Sequence, residues 1–520
     1  MPTAYDIYQT YLKGPGAVIR LFEQALGTHA IYGRPEPDQQ QRTIDSLSEE
    51  LARLRARVAR LSQELGATQG ENHRLRRRLG ELEGLITKDS HNSSRPPSTD
   101  PPWRKRTRNL RQPTDRRPGG QPGHPGHTRP LAQRPSRVVT HRPAQCRHCL
   151  ESLAGVQSAG VERRQVIDIV PARLRVTEHR AETVRCPHCR HTTKVGFPAG
   201  IRAPVQYGPG VRARALYLHD YGLLPYGRVA EAMRELFGCA LSAGTLANLV
   251  AGCAAGLIET ELQIKKKLRR SSVIHADERG MRVSQRLQYV HVASTQHLTH
   301  YAAAPHRGRT AMDEINVLPR YRGVCVHDGL LSYSHYTRCR HALCGVHLLR
   351  ELTYFAELGA ETKAWAAPLK ALLLEMKGEV EREREGGGAR LDASVLAELS
   401  ARYDRLVAEG QATPLPPELP EGVRKQARNL LLRLERRRTE VLLFLTDFSV
   451  PFDNNQAERD LRMVKLQQKV SGCFRSEAGS RRFCRIRSYL STMRKQGRGV
   501  LHALDSVCRG KPLSVRKRSG

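Results

Sequence analysis

From residue 44 to residue 86, apolar side chains recur at alternating steps of three and four. Ile44, Leu51, Val58, Leu65, Asn72, Leu79 and Ile86 share one seam position, and Leu47, Leu54, Leu61, Thr68, Leu75 and Leu82 share the other. Eleven of these thirteen are apolar, a run long enough to predict a coiled coil over 39–88 rather than a helix packed on its own domain. Asn72 at the first seam position favours a parallel dimer in fixed register. Glu50 with Arg55, Glu71 with Arg76 and Arg78 with Glu83 suit charge pairing between the strands. Gly66, Gly70, Gly80 and Gly84 each weaken the helix, so the zipper is predicted to be weak in isolation.

The periodicity then stops. Residues 89–140 are rich in Pro, Gly, Ser and Arg, have few aliphatic residues and cannot build a core, which predicts a linker. VERRQVIDIVPARLRVTEHRAETVRC, residues 161 to 186, alternates as strands do and predicts an extended hairpin. Residues 201–265 are helical, and within them Gly238 marks a turn before a helix capped by Ser242, an arrangement like a helix-turn-helix. Its second helix, SAGTLANLVAGC, carries no basic side chain, which favours packing over base reading. From residue 272 the period shortens to that of strands. SSVIHAD, QYVHVAS, LTHYAAA and RGVCVHD are the candidates, with a tight turn at Thr295, Gln296 and His297. Residues 358–449 read as two or three amphipathic helices broken by GGG at 386–388 and PLPPELP at 414–420. Residues 1–38 offer only a short helical pattern around Gly16 to Leu26, and 496–520 read as a basic tail.

Composition narrows the partners. A chain of 520 residues exceeds one core, so several domains are expected. With 86 Lys and Arg against 51 Asp and Glu, the net charge of +35 calls for a polyanion, DNA or RNA. Seven basic residues between Trp103 and Arg117, among them Arg104, Lys105 and Arg106, predict an arm that lies along phosphates. No apolar run of about 18 residues and no signal-peptide core is present, so no membrane is expected and the location is read as cytoplasmic.

Four of the twelve cysteines form two Cys-x-x-Cys pairs, Cys146 with Cys149 and Cys186 with Cys189. That spacing lets one turn aim two thiolates at a tetrahedral zinc, and four thiolates leave no open position, so one structural Zn2+ is expected in a ribbon over 141–200. The other eight are scattered and suit small buried positions.

Asp277 and Asp328 fall at predicted strand ends, where α/β folds place chemistry, although an acid after a strand also commonly begins a turn. PFDNNQAERDLR, residues 451–462, reads as a helix start with Asp453 or Asn454 as cap and Glu458 near the positive helix end. Arg462 and Lys465 lie on the face of Glu458, which fits ordinary ion pairing as well as contact with phosphates. Two converging carboxylates and a third from a helix can hold two divalent ions about 3.5–4 Å apart for phosphodiester chemistry.

HADERGMRV, VHDGLLSY, LCGVHLLREL, PFDNNQAERDLRMVKLQQKVSGCFRSEAG and RSYLSTMRKQG resemble the DDE transposases of the insertion-sequence 66 family. NSSRPPSTD and GGQPGH resemble that family's spacer, and the zipper and doubled Cys-x-x-Cys come in the same order, so the likeness is near full length. The resemblance, not spacing, selects three acids among 51: Asp277, Asp328 and Glu458 as catalytic ligands of two Mg2+ or Mn2+. It implies a multidomain α/β protein with an RNase H-like core, residues 266–357 and 450–495, interrupted by a helical insertion at 358–449. Asp328 and Glu458 stand 130 positions apart, which leaves room for that insertion. Cys344 and His347 form a C-x-x-H that resembles a recurring feature of such cores. Two residues make a poor zinc site, so packing or DNA positioning is expected of them. Arg279 stands where the family usually has Thr, and Glu278 is an alternative ligand, although strand alternation points it the other way. Of Asn454 and Asn455, capping needs only one, and the second is expected to orient DNA or a metal-bound water.

The expected function is that of a bacterial DNA transposase acting on double-stranded DNA, both the element's terminal repeats and its target. It would work as a homodimer or higher oligomer, nucleoid-associated, possible helpers being small accessory proteins of the same element. Arg462, Lys465 and the Arg104 to Arg106 arm would meet phosphates. Two alternatives are a DNA-binding regulator that has lost catalysis and a metal nuclease that does not join strands.

Overall fold

The computed structural model describes residues 4–11, 13–27, 37–86, 130–168 and 174–516. Arg104, Lys105 and Arg106 lie outside the described residues. The chain divides into two units, 1–87 and 88–520.

The first unit is helical: α1 (Ala4–Tyr11), α2 (Pro15–Gly27) and α3 (Pro37–Ile86). Proline opens both α2 and α3, where its missing N–H costs nothing and its fixed φ suits the first turn. The 50-residue α3 leaves Leu47, Leu51, Leu54, Val58, Leu61, Leu65 and Leu75 at least half exposed, so among the described residues nothing covers this part of the seam.

In the second unit, β1 (Thr183–Arg185) and β2 (Thr192–Lys194) form a small antiparallel hairpin around Cys186 and Cys189. The hairpin predicted between the two Cys pairs is absent from the described part of 161–182. Val161, Val166 and Val176 there are more than three-quarters exposed, so the alternation meets no layer that would bury one face.

Next come α4 (Pro209–Leu216), a π-turn at Tyr217–Tyr221, α5 (Tyr226–Phe237), α6 (Ala243–Ala255) and α7 (Ile258–Leu268). Gly238 closes α5 at φ 64°, and Ser242 Oγ accepts from Thr245 N at 3.1 Å to cap α6. Val250, Cys253 and Ala254 of α6 join Ile264 and Leu268 of α7 in the core that also holds Ile274, Ala276 and Cys325 of the main sheet. The uncharged helix is therefore a packing element.

That sheet has five strands in the order β5-β4-β3-β6-β7: β3 (Val273–Val283), β4 (Arg286–Ser294), β5 (Thr299–Ala304), β6 (Val324–His327) and β7 (Arg340–Leu343). The first three are antiparallel, while β3, β6 and β7 run parallel. Helix α8 (Arg309–Ile315) lies between β5 and β6 in sequence, and α9 (Gly345–Ala356) follows β7. Helices α10 (Ala360–Glu385), α11 (Ala393–Ala412) and α12 (Glu421–Arg436), with the short α13 (Arg438–Val441) and α14 (Leu443–Thr446), share a core with α9 built on Trp365, Leu369, Tyr403 and Leu430.

The chain then returns to the sheet through α15 (Asn455–Ser471), α16 (Glu477–Lys495) and α17 (Val500–Cys508). Ala457, Leu461 and Val464 of α15 cover Met281, Val283, Val290 and Val292 on one face. Ile486, Leu490 and Met493 of α16 belong to the core that holds Ile274, Ala276 and Ala293, the alternate residues of the strands. The outer strand β5 donates Thr299 N to Thr492 Oγ1 (3.1 Å) and Tyr301 N to Ser488 Oγ (2.8 Å), so α16 satisfies an edge that would otherwise be open. Helix α17 corrects the expected basic tail: Ala503, Leu504 and Val507 recur at helical spacing and are buried.

Candidate active site and metal-binding residues

The parallel ladder between β3 and β6 pairs Val273 with Val324, Ile274 with Cys325 and His275 with Val326. Two residues further along each chain stand Asp277 and Asp328. Asp328 follows β6, but Asp277 is not at a strand end as predicted, because β3 runs on to Val283 against β4. What ends beside Asp277 is its pairing with β6, and that opens the sheet on the side where Asp328 emerges. Continued register sets the two acids across from one another.

Glu278 completes a cluster in which one oxygen each of Asp277, Glu278 and Asp328 lie within 4.8 Å of one another. Alternation does send Asp277 to the α15 face and Glu278 to the other. Past the His275–Val326 pair, however, β3 and β6 no longer bond to one another, and the longer Glu278 reaches the same place. Its Oε1 accepts from Arg307 Nε at 2.8 Å and its Oε2 from the Tyr333 hydroxyl at 2.6 Å. Arg307 also approaches Asp328 Oδ2 at 3.7 Å, a resident cation between two acids. Burial, then the charge of Asp328, pushes Glu278 up to about 7 against the pull of Arg307 and Tyr333. Asp277 is driven well above the usual carboxylate range by burial and by Glu278, Asp328 and Glu458. Three hard oxygen donors crowded together, with Asp277 and Glu278 both raised, are a donor set that a divalent Mg2+ or Mn2+ relieves.

Glu458 sits in the first turn of α15. It makes no ion pair with Arg462. Instead its Oε1 lies 3.8 Å from His347 Nδ1, and one ligand atom each of Glu458, His347 and Cys344 fall within 4.8 Å. The position of Glu458 relative to β3 is fixed by Asn454, which is fully buried. Its Nδ2 donates to Ala276 O (2.8 Å), its Oδ1 accepts from His275 Nδ1 (3.0 Å) and its backbone N donates to Cys344 Sγ (3.1 Å). Burial keeps His275 neutral by lowering its pKa, and a neutral ring with the proton on Nδ1 makes this bond. Asn454 therefore does not cap with its side chain, nor is it free to orient DNA or water. Asn455 is also engaged, its N and Nδ2 donating to Asp453 at 3.0 and 2.6 Å.

Cys344 precedes α9, and His347 lies in its first turn. Gly345 lets this turn approach: a Cβ there would collide with the Phe452 ring, and Gly345 N donates to Phe452 O at 2.8 Å. Burial pushes the Cys344 thiol up to about 12 and lowers His347. Further along α15, Arg462 is exposed, and Lys465 is lowered first by burial and then by the positive charges of Arg279 and Lys469.

The cysteine pairs form two matching turns. Leu150 N donates to Cys146 O (3.0 Å) with Leu150 at φ 63°, and Arg190 N donates to Cys186 O (2.8 Å) with Arg190 at φ 59°. Backbone N–H groups of Cys149 and His148 lower the Cys146 thiol, and those of Cys189 and His188 lower Cys186. Each turn is thus prepared for thiolate ligands. Among the described residues the two turns are not gathered into one four-sulfur cluster.

The positions of Asp277 and Asp328 could be approached from strand patterns. Arg307 and Tyr333 carried no sequence signal, and Asn454 was legible as a cap or DNA-orienting residue but not as a clamp, because these roles exist only through contacts made across 29 to 179 positions of chain.

A family model described as Transposase IS66 family matches residues 204–482. A second, described as the zinc-finger binding domain of transposase IS66, matches 143–190 and supports structural zinc at the four cysteines. A third, a family of unknown function, matches 34–130. A search of curated proteins finds no match.

Proposed function

The chain belongs to the transposase IS66 family, and from that premise we propose that it cuts and joins DNA strands at Asp277, Asp328 and Glu458. The observation that supports this most is the register of Asp277 and Asp328 beyond the last β3–β6 pair, with the Glu458 helix tied to β3 by Asn454. A mixed sheet with one acid on β3, a second just past the adjacent β6, and a third on a helix that returns after a long insertion supports the RNase H-like reading.

Two divalent ions at these acids, when bound, supply a lowered water or hydroxyl pKa and charge stabilisation at the leaving oxygen. The chain's own residues do the rest. Asp277 and Asp328 provide hard oxygen ligands, and Glu278 adds a carboxylate that Tyr333 and Arg307 hold still. Arg307, 2.8 Å from Glu278 and 3.7 Å from Asp328, offsets the crowded negative charge. Arg279, Lys465 and Lys469 form a positive border for phosphates, and Arg462 extends it into solvent. The two cysteine turns and the basic arm add grip on the element ends, and α3 pairs with a second copy through its exposed seam. The described residues include no single helix long and apolar enough to cross a membrane.

The test incubates the full chain with cognate element ends and Mg2+, wild type beside Glu458→Gln and Asp277→Asn. Cleavage and joined products should disappear in both variants while salt-sensitive DNA binding stays. Equal cleavage in wild type and variants would refute the site, and hydrolysis without joined products would favour the nuclease reading.

A further inference from the structure

The sequence offered Cys344 and His347 as only two donors, but the folded chain supplies a third. We infer that Cys344, His347 and Glu458 form a binding site for a borderline-soft divalent ion, best zinc, separate in kind from the all-oxygen group of Asp277, Glu278 and Asp328.

Three observations carry this. A thiol, an imidazole and a carboxylate from two different helix starts place one ligand atom each within 4.8 Å of the others. His347 Nδ1 and Glu458 Oε1 are both buried from solvent, and neither has a hydrogen-bond partner. They face each other at 3.8 Å, too far for a hydrogen bond. Two ligands of a tetrahedral zinc stand about 3.4 Å apart, given metal–ligand bonds of about 2.0–2.2 Å, so a small closure would seat the ion and satisfy both atoms.

The surroundings also suit a ligand set. Asn454 N already donates to Cys344 Sγ at 3.1 Å, the kind of outer bond that holds a thiolate in place, and the Gly345 contact with Phe452 fixes the turn that carries both Cys344 and His347. Sulfur and imidazole select zinc over Mg2+, whereas the neighbouring carboxylates select the reverse. Cys344 would release its proton on binding, and three protein ligands would leave a fourth position for water.

The consequence rests on the catalytic reading: an ion held here competes for Glu458, so micromolar zinc should suppress Mg2+-dependent cleavage. Binding itself does not depend on that reading and is measured separately. Full-length protein with its ribbon loaded is titrated with zinc and, in parallel, with Co2+. Wild type should take up one equivalent more than Cys344→Ser or His347→Gln. With the ribbon already filled by spectroscopically silent zinc, the cobalt spectrum should show a single-thiolate charge-transfer component that Cys344→Ser abolishes. Melting profiles check that each variant is folded, and His347→Gln decides if Cys344→Ser is not. Unchanged stoichiometry and an unchanged cobalt spectrum in a folded variant would overturn the proposal. Full cleavage by Glu458→Gln would instead sink the catalytic reading and leave the metal count intact.

Discussion

Replacing Asn454 by Ala removes a clamp rather than a ligand, and its effect can be sized from the structure. The side chain is fully buried, accepts from His275 Nδ1 and donates to Ala276 O, so truncation strands a donor and an acceptor on β3 next to Asp277. Each stranded buried group costs about 1–3 kcal/mol, so the two together cost roughly 2–6 kcal/mol in stability. The start of α15 also loses its side-chain hold on the strand, while Asn454 N to Cys344 Sγ survives because it is a backbone bond. A shift of about 1 Å in Glu458 lowers a positioned reaction by about a hundredfold. The assay is single-turnover cleavage of end DNA in Mg2+ beside a binding titration over a salt series, with thermal melting of the same preparations. Cleavage should fall by about two orders of magnitude, with the salt slope of binding unchanged. A variant that melts several degrees lower yet cleaves at the wild-type rate would refute the positioning role and leave Asn454 as a purely structural residue.

Two further outcomes are expected. Asp220, in the π-turn, is fully buried with neither carboxylate oxygen hydrogen-bonded, and burial raises it to about 6 against the pull of His219 and Arg487. A carboxyl raised above its unfolded value favours the fold at acid pH and loses that advantage as pH rises through about 6. The stability of wild type relative to Asp220→Asn should therefore fall by about 2–3 kcal/mol between about pH 4 and pH 7 in chemical denaturation, and a flat difference would contradict the buried charge. Replacing Leu54 and Leu61 together by Lys places charge on the exposed seam of α3, so light scattering should report a smaller assembly than wild type; an unchanged mass would place dimerisation elsewhere.

Periodicity alone determined much of the architecture. The heptad run became one helix, the breaks at 386–388 and 414–420 separate α10, α11 and α12, and the strand-like runs became β3 to β6. These are local signals, set by which side chains share a face at a period of 3.6 or 2. The same logic misread 161–182, where alternation without a covering layer makes no strand, and 496–520, where charge hid the apolar stripe of α17.

The site was legible only in part. Residue type and family likeness singled out Asp277, Asp328 and Glu458, but not what holds them. That Glu278 joins the acids, that Arg307 bridges them, that Asn454 is a buried clamp and that Glu458 faces Cys344 and His347 all depend on distances between segments remote in sequence. The reason is physical: strand ends and helix starts converge only after the sheet closes and the insertion folds away, and no local pattern encodes which side chains then meet. For PFDNNQAERDLR, the sequence set a helix start carrying an acid, and tertiary structure decided that the acid faces a histidine and a thiol instead of its own arginine.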